Sequence, residues 1–203
     1  MENTAHHESF QARSARLQNN PPNEIISTLL ASIEMHFNNE IKITVKDNNY
    51  QTVLLFLGIH AVALTISYGV FNDEKVTGYK LFLEKFMDGE TEDTKFSTIS
   101  GHIHNFRNVL AHQWLGASGH AIGFDYQMPE GWKEKEGRIF INPKIYVEHY
   151  LNAFSANKLW SIRNLPLAEK EAIKKRLLGK FQKVPEITRG LITKQKDTSG
   201  KST

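Results

Sequence analysis

Cysteine is absent from the 203 residues, and that gap removes disulfides, thiolate metal centres and a cysteine nucleophile together. Such a chain suits a reducing compartment, so the cytoplasm is the expected location. The opening MENTAHHESFQARSARLQNN lacks the apolar run of a secretory signal. No large charge of either sign is present: 25 Lys and Arg stand against 22 Asp and Glu, a net of +3. The excess is unevenly placed. From Arg163 onward 11 basic residues meet 4 acidic ones, giving +7, so residues 1–162 carry −4. A basic segment of this kind can attract phosphate backbones by counterion release, and equally can be a solvated helix face with a soluble tail. There is no Walker lysine to make a phosphate loop of GASGHAIG, no Gly-x-Ser-x-Gly elbow and no internal repeat.

What is present is helical periodicity over a length that fits one domain with tails. Residues 1–21 read as a polar, disordered lead-in, closed by Pro21-Pro22 before Asn23 as helix cap. Ile26, Leu29, Leu30, Ile33 and Phe37 recur at three- and four-residue spacing and predict a helix to about Asn38, with IKITV as a short extended piece after it. Tyr50 to Phe71 has no charged residue and is long enough to span a membrane. His60, Gln51, Thr65 and Ser67 oppose that reading, and Gly58, Ala61, Ala63 and Gly69 suit close helix contacts. A buried central helix, or one shared between a bundle and a dimer interface, is expected, with no membrane partner. Further helices are expected over Glu74 to Met87, from Asp93 or Thr94 to Leu115, from Lys144 to Trp160, and from Pro166 to Phe181. In the last of these Leu167, Ile173, Leu177 and Leu178 face inward. Between them, at about 122–142, IGFDYQM, GWKEKEG and RIFIN predict a small β-hairpin insertion with a charged tip. Residues 186–203 read as a disordered basic tail. The fold class expected is all-α, a bundle of five or six helices.

The helix through residue 107 carries the most chemistry. With Ile103 as zero at 100° per residue, Phe96, Ile99, Phe106, Leu110 and Trp114 fall within about 60° of it and form a core stripe. Gly101, His104, Asn105, Asn108 and His112 gather on the far side, between roughly 100° and 200°. Arg107 lies near 40°, at the border, with a side chain long enough to reach round. The helix therefore turns a guanidinium, a carboxamide and imidazoles away from the core.

Arg107, Asn108, three residues and His112 make an RNxxxH pattern that resembles the signature of the HEPN superfamily (higher eukaryotes and prokaryotes nucleotide-binding). The resemblance covers the helical body, domain 22–185 with its insertion, and only this motif is specific. It implies an HEPN-like bundle acting as a homodimer, in which Arg107 and His112 of two subunits converge on one cleft. It also implies metal-independent RNA cleavage, and a place among toxins or phage-defence proteins beside an antitoxin of nucleotidyltransferase type.

The residue types suit that chemistry. A phosphodiester cleaved without metal needs a base for the 2′-OH proton, an acid for the leaving 5′-oxygen and positive charge on the phosphorane. An imidazole titrates near neutrality and a guanidinium grips two phosphate oxygens. Arg107, Asn108 and His112 are the catalytic candidates, with Asn108 holding backbone or orienting the imidazole. His104, one turn away, is the candidate RNA-binding residue, against the plainer reading of a surface histidine. No metal or other cofactor is expected, because the histidine spacings place no carboxylate on that face. The competing reading is a non-catalytic helical module that binds RNA, nucleotide or a protein partner.

Overall fold

The computed structural model describes residues 17–46, 52–112 and 122–182. The chain is mainly helical with one small three-stranded sheet. Helix α1 (Pro22–Ser32) passes through a π turn (Ile33–Asn38) into α2 (Asn39–Lys46), and α3 (Thr52–Phe71) follows. Helix α4 (Val76–Phe82) ends in a second π turn (Leu83–Met87). Two 3-10 turns, Glu92–Thr94 and Phe96–Ile99, lead into α5 (Ser100–His112). Strands β1 (Ile122–Phe124), β2 (Trp132–Lys135) and β3 (Arg138–Ile141) precede α6 (Pro143–Asn152), a 3-10 turn (Leu159–Asn164) and α7 (Leu167–Gln182).

Helix α3 is the axis. Leu55, Phe56, Ile59, Ala63 and Ile66 are buried on it, and it packs on α4, α5 and α7. By length and composition Val53–Phe71 is apolar enough to cross a membrane, but 44% of its most apolar window is buried within the chain. Most of the rest is half-buried, and on this stretch Leu54, at 53% exposure, and Ala61 are the exposed residues.

Several boundaries differ from those the sequence predicts, and each has a local cause. Asn23 is not the cap: Pro22 occupies the first helical position, where its missing N–H costs nothing. Residues 17–19 are already helical and Leu17 packs on the core, so the lead-in is shorter than 21 residues, although 1–16 lie outside the described residues. Asn38-Asn39 does not end the first helix, and IKITV is helical rather than extended. Asn39 Nδ2 donates to the Met35 carbonyl at 3.0 Å across the π turn, and buried Asn38 accepts from the Tyr150 hydroxyl at 2.9 Å. Burial of Ile41 then overrides the β-preference of this segment. Helix α4 starts at Val76 rather than Glu74 because Asp73 Oδ1 takes the Lys75 N–H at 2.7 Å in an Asx turn.

The helix carrying the motif begins at Ser100, not at Asp93 or Thr94. Asp88 accepts the Ser97 N–H at 3.0 Å and also its hydroxyl, which holds 96–99 as a 3-10 turn. Its expected end at Leu115, with Trp114 and residues 116–121 of the GASGHAIG stretch, lies outside the described residues, as does the tail 186–203. Helix α6 stops at Asn152 rather than Trp160. Lys158 Nζ donates to the Phe86 carbonyl at 2.9 Å and Trp160 Nε1 to Glu34 at 3.0 Å, which draws the chain into a new direction. On α7, Ile173 and Leu177 are buried as expected, whereas Leu167 is 65% exposed.

The insertion is more than a hairpin. Strands β2 and β3 pair antiparallel, with Lys135 opposite Arg138 across the two-residue turn Glu136-Gly137. Both turn residues have positive φ, 55° and 72°, the geometry that matches strand twist in a tight hairpin. Strand β1 adds in parallel on the other edge of β3, setting Gly123 opposite Phe140. A Cβ at Gly123 would lie 2.8 Å from that ring, so glycine permits the pairing. The sheet is tied down by Phe124, whose ring sits 4.8 Å from Phe56 and 5.6 Å from Phe106.

Gly78 is a second position where a side chain has no room. Its added Cβ would run into the Asp73 carbonyl oxygen and lie 2.7 Å from the carbonyl carbon, both backbone atoms. Gly78→Ala is therefore expected to destabilise the fold by about 2–3 kcal/mol. Urea unfolding measures it, and an unchanged midpoint would contradict this packing.

Candidate functional site

Helix α5 and the 3-10 turn leading into it divide as their sequence pattern requires. Phe96, Ile99, Ile103 and Phe106 are buried, while His102 and Asn105 are exposed on the other side. His104, Arg107 and Asn108 lie between these extremes, half-buried, at i, i+3 and i+4, so their side chains share one face. Arg107 Nη1 donates to Asn108 Oδ1 at 3.0 Å. The carboxamide thus braces the guanidinium, while the His112 imidazole that it is expected to orient lies outside the described side chains. No carboxylate among the described residues forms an ion pair with Arg107.

The backbone of His112 closes the helix one turn beyond Asn108, a rise of roughly 6 Å with about 40° of rotation. Its side chain lies outside the described residues, so the structure brings together His104, Arg107 and Asn108 but does not describe the fourth group.

His104 is not a plain surface histidine. Its Nδ1 lies 3.1 Å from Nε2 of His60, which reaches in from the middle of α3 and is fully buried. The His60 ring rests 5.0 Å from that of His104 and 4.4 Å from Tyr79 on α4. Beneath it the Tyr79 and Tyr146 hydroxyls hydrogen-bond at 2.7 Å, both rings buried. The sequence carried a signal for His60. It falls four residues after Phe56 and three before Ala63, both core positions, so helical spacing alone turns it inward.

The electrostatics follow from this stacking. Burial pushes the His60 pKa down to about 3, with the neighbouring His104 and Arg107 charges adding to it. His104 is lowered too, by partial burial and then by Arg107. Tyr79 is raised well above the ordinary tyrosine value, chiefly by burial and then by Tyr146, so it stays protonated. Among the described side chains the site at neutral pH therefore has one guanidinium, one carboxamide and two neutral imidazoles. Such a set can bind an oxyanion and donate hydrogen bonds to it. Among the described residues no group of three or more His, Cys, Asp or Glu is placed to hold a metal ion. No protein-family model, no curated protein and no solved structure matches this chain.

Proposed function

We propose that the chain is an HEPN-like endoribonuclease that cleaves RNA without a metal and acts as a homodimer. The observation that carries this reading is the state of Arg107. It is a half-buried guanidinium with no carboxylate partner among the described residues, braced by Asn108 and flanked by His104 on the same face. Its planar fork is suited to two oxygens of a phosphate.

In the reaction one His112 removes the 2′-OH proton as that oxygen attacks phosphorus. The P–O5′ bond breaks, and the His112 of the second subunit returns a proton to the departing 5′-oxygen. The products are a 2′,3′-cyclic phosphate and a free 5′-hydroxyl. Arg107 of each subunit neutralises the phosphorane, so two-fold symmetry supplies acid, base and both cations from one motif. The uncovered edge of α3, with Leu54 and Ala61 exposed, offers apolar surface for a second copy. A role as toxin or phage-defence component, with an antitoxin of nucleotidyltransferase type, rests on the resemblance alone.

Purified protein incubated with total RNA in EDTA is expected to release fragments ending in cyclic phosphate, read by end-group analysis. RNA that is bound and left intact would replace this reading with the non-catalytic RNA-binding module.

A further inference from the structure

His60 has two ring nitrogens, and among the described residues only one of them has a partner. Nε2 faces His104 Nδ1 at 3.1 Å, while Nδ1 is buried without any hydrogen bond. One of the two facing nitrogens must carry the proton, and the choice decides what sits at each far end of the pair.

If His104 Nδ1–H donates to His60, then the neutral His60 carries its own proton on Nδ1. A buried N–H is then left with no acceptor, a state that folded proteins rarely tolerate. If His60 Nε2–H donates to His104, the buried Nδ1 is a bare lone pair, and under-satisfied acceptors are the more common case. The second arrangement puts the His104 proton on Nε2, at the end away from His60. Protonating His104 would require its Nδ1 to donate, forcing His60 back into the first arrangement, so the buried ring also resists that step.

Among the described residues the surroundings offer nothing to reverse this choice. Tyr79 on α4 stacks on His60, and its hydroxyl is engaged with Tyr146 of α6. Arg107 on α5 adds a positive charge, which acts on both rings. Asp88 bears on Tyr79. No carboxylate among the described residues makes a hydrogen bond or ion pair with either imidazole.

We propose that His60 is a positioning residue that fixes the His104 ring with its proton on Nε2, so that His104 gives a phosphate held by Arg107 a hydrogen-bond donor and not a base. This rests on the reading of Arg107 as a phosphate ligand. It divides labour along the helix: Arg107 supplies charge, His104 a directed N–H, and the proton transfers are left to His112. The ligand class is a phosphodiester or another tetrahedral oxyanion with one oxygen free for each donor.

Long-range proton–nitrogen spectra of the full-length labelled protein at pH 7.5 test it. His104 Nε2 is expected at a protonated-nitrogen shift and Nδ1 at a bare one, with scalar coupling across the hydrogen bond to a protonated His60 Nε2. His60→Gln, which keeps a donor at the same place, should retain the His104 tautomer. His60→Phe should raise the His104 titration midpoint toward the ordinary 6.5. Titration with inorganic phosphate should show about tenfold weaker binding in the Phe variant and near-normal binding in the Gln variant. A proton on His104 Nδ1 in the unmodified protein overturns the proposal, as does equal phosphate binding in all three proteins. The spectra need no catalysis, so an intact tautomer in a protein that cleaves no RNA would count against the ribonuclease reading alone.

Discussion

Replacing His112 with alanine is expected to slow RNA cleavage by about 10²- to 10⁴-fold while RNA binding is largely kept. That is the range for loss of one positioned proton donor or acceptor. In a composite site both subunits surrender an imidazole at once, but acid and base act as one unit, so the two losses do not multiply. Mixing experiments separate a shared cleft from two independent ones. Homodimers of Arg107→Ala hold two imidazoles and no guanidinium, and homodimers of His112→Ala the reverse. A heterodimer of the two variants keeps one of each around the same phosphate, and should cleave faster than either parent. Single-turnover rates on one labelled RNA measure this. Cleavage by the His112→Ala protein at the unmodified rate removes His112 from the chemistry.

The core was legible because its signal is periodic. Phe96, Ile99, Ile103 and Phe106 read as one stripe and are one stripe, with exposures of 0, 3, 1 and 8%. The polar face of the same helix was legible for the same reason, since whatever is not on the stripe must be elsewhere. What could not be read were events decided by a distant partner. Asn38 looks like a helix stop until Tyr150 bonds to it from 112 residues away. Strand β1 looks like half a hairpin until β3 accepts it in parallel. His60 sat in plain view inside an apolar run, where it argues against a membrane span. That it reaches His104 depends on how α3 crosses α5, which no local pattern states.

The contact between His104 and His60 has the same origin and a chemical consequence. On a helical wheel His104 shares the solvent side with Asn105 and Asn108, and nothing in the sequence says that α3 rises to meet it. Once His60 is in contact, half of the imidazole is committed to an internal hydrogen bond and only Nε2 remains for a ligand. The residue moves from general candidate to a donor of fixed direction, and the work of acid and base falls on the motif histidine.

The buried imidazole also sets how the fold responds to acid. His60 has a native pKa of about 3 against 6.5 when the chain is unfolded. Between those values the unfolded chain binds a proton that the native protein refuses. Stability is therefore complete above about pH 6.5 and falls as the pH drops toward 3, by about 1.4 kcal/mol per pH unit for this one group. The loss amounts to about 2 kcal/mol by pH 5 and about 3 kcal/mol by pH 4, a large share of the stability of a domain this size. His104, lowered in the same direction, adds to the slope in the upper part of that window. Asp93, held below the usual carboxylate range chiefly by Thr91, loses its contribution only near pH 4 and beneath. Urea unfolding between pH 7.5 and 4.5 thus isolates the histidines. His60→Gln, which cannot titrate, is expected to flatten the dependence by about one proton over that range. A slope identical to that of the unmodified protein would mean that His60 takes up its proton in the native state, and that the ring has access to water which this packing denies it.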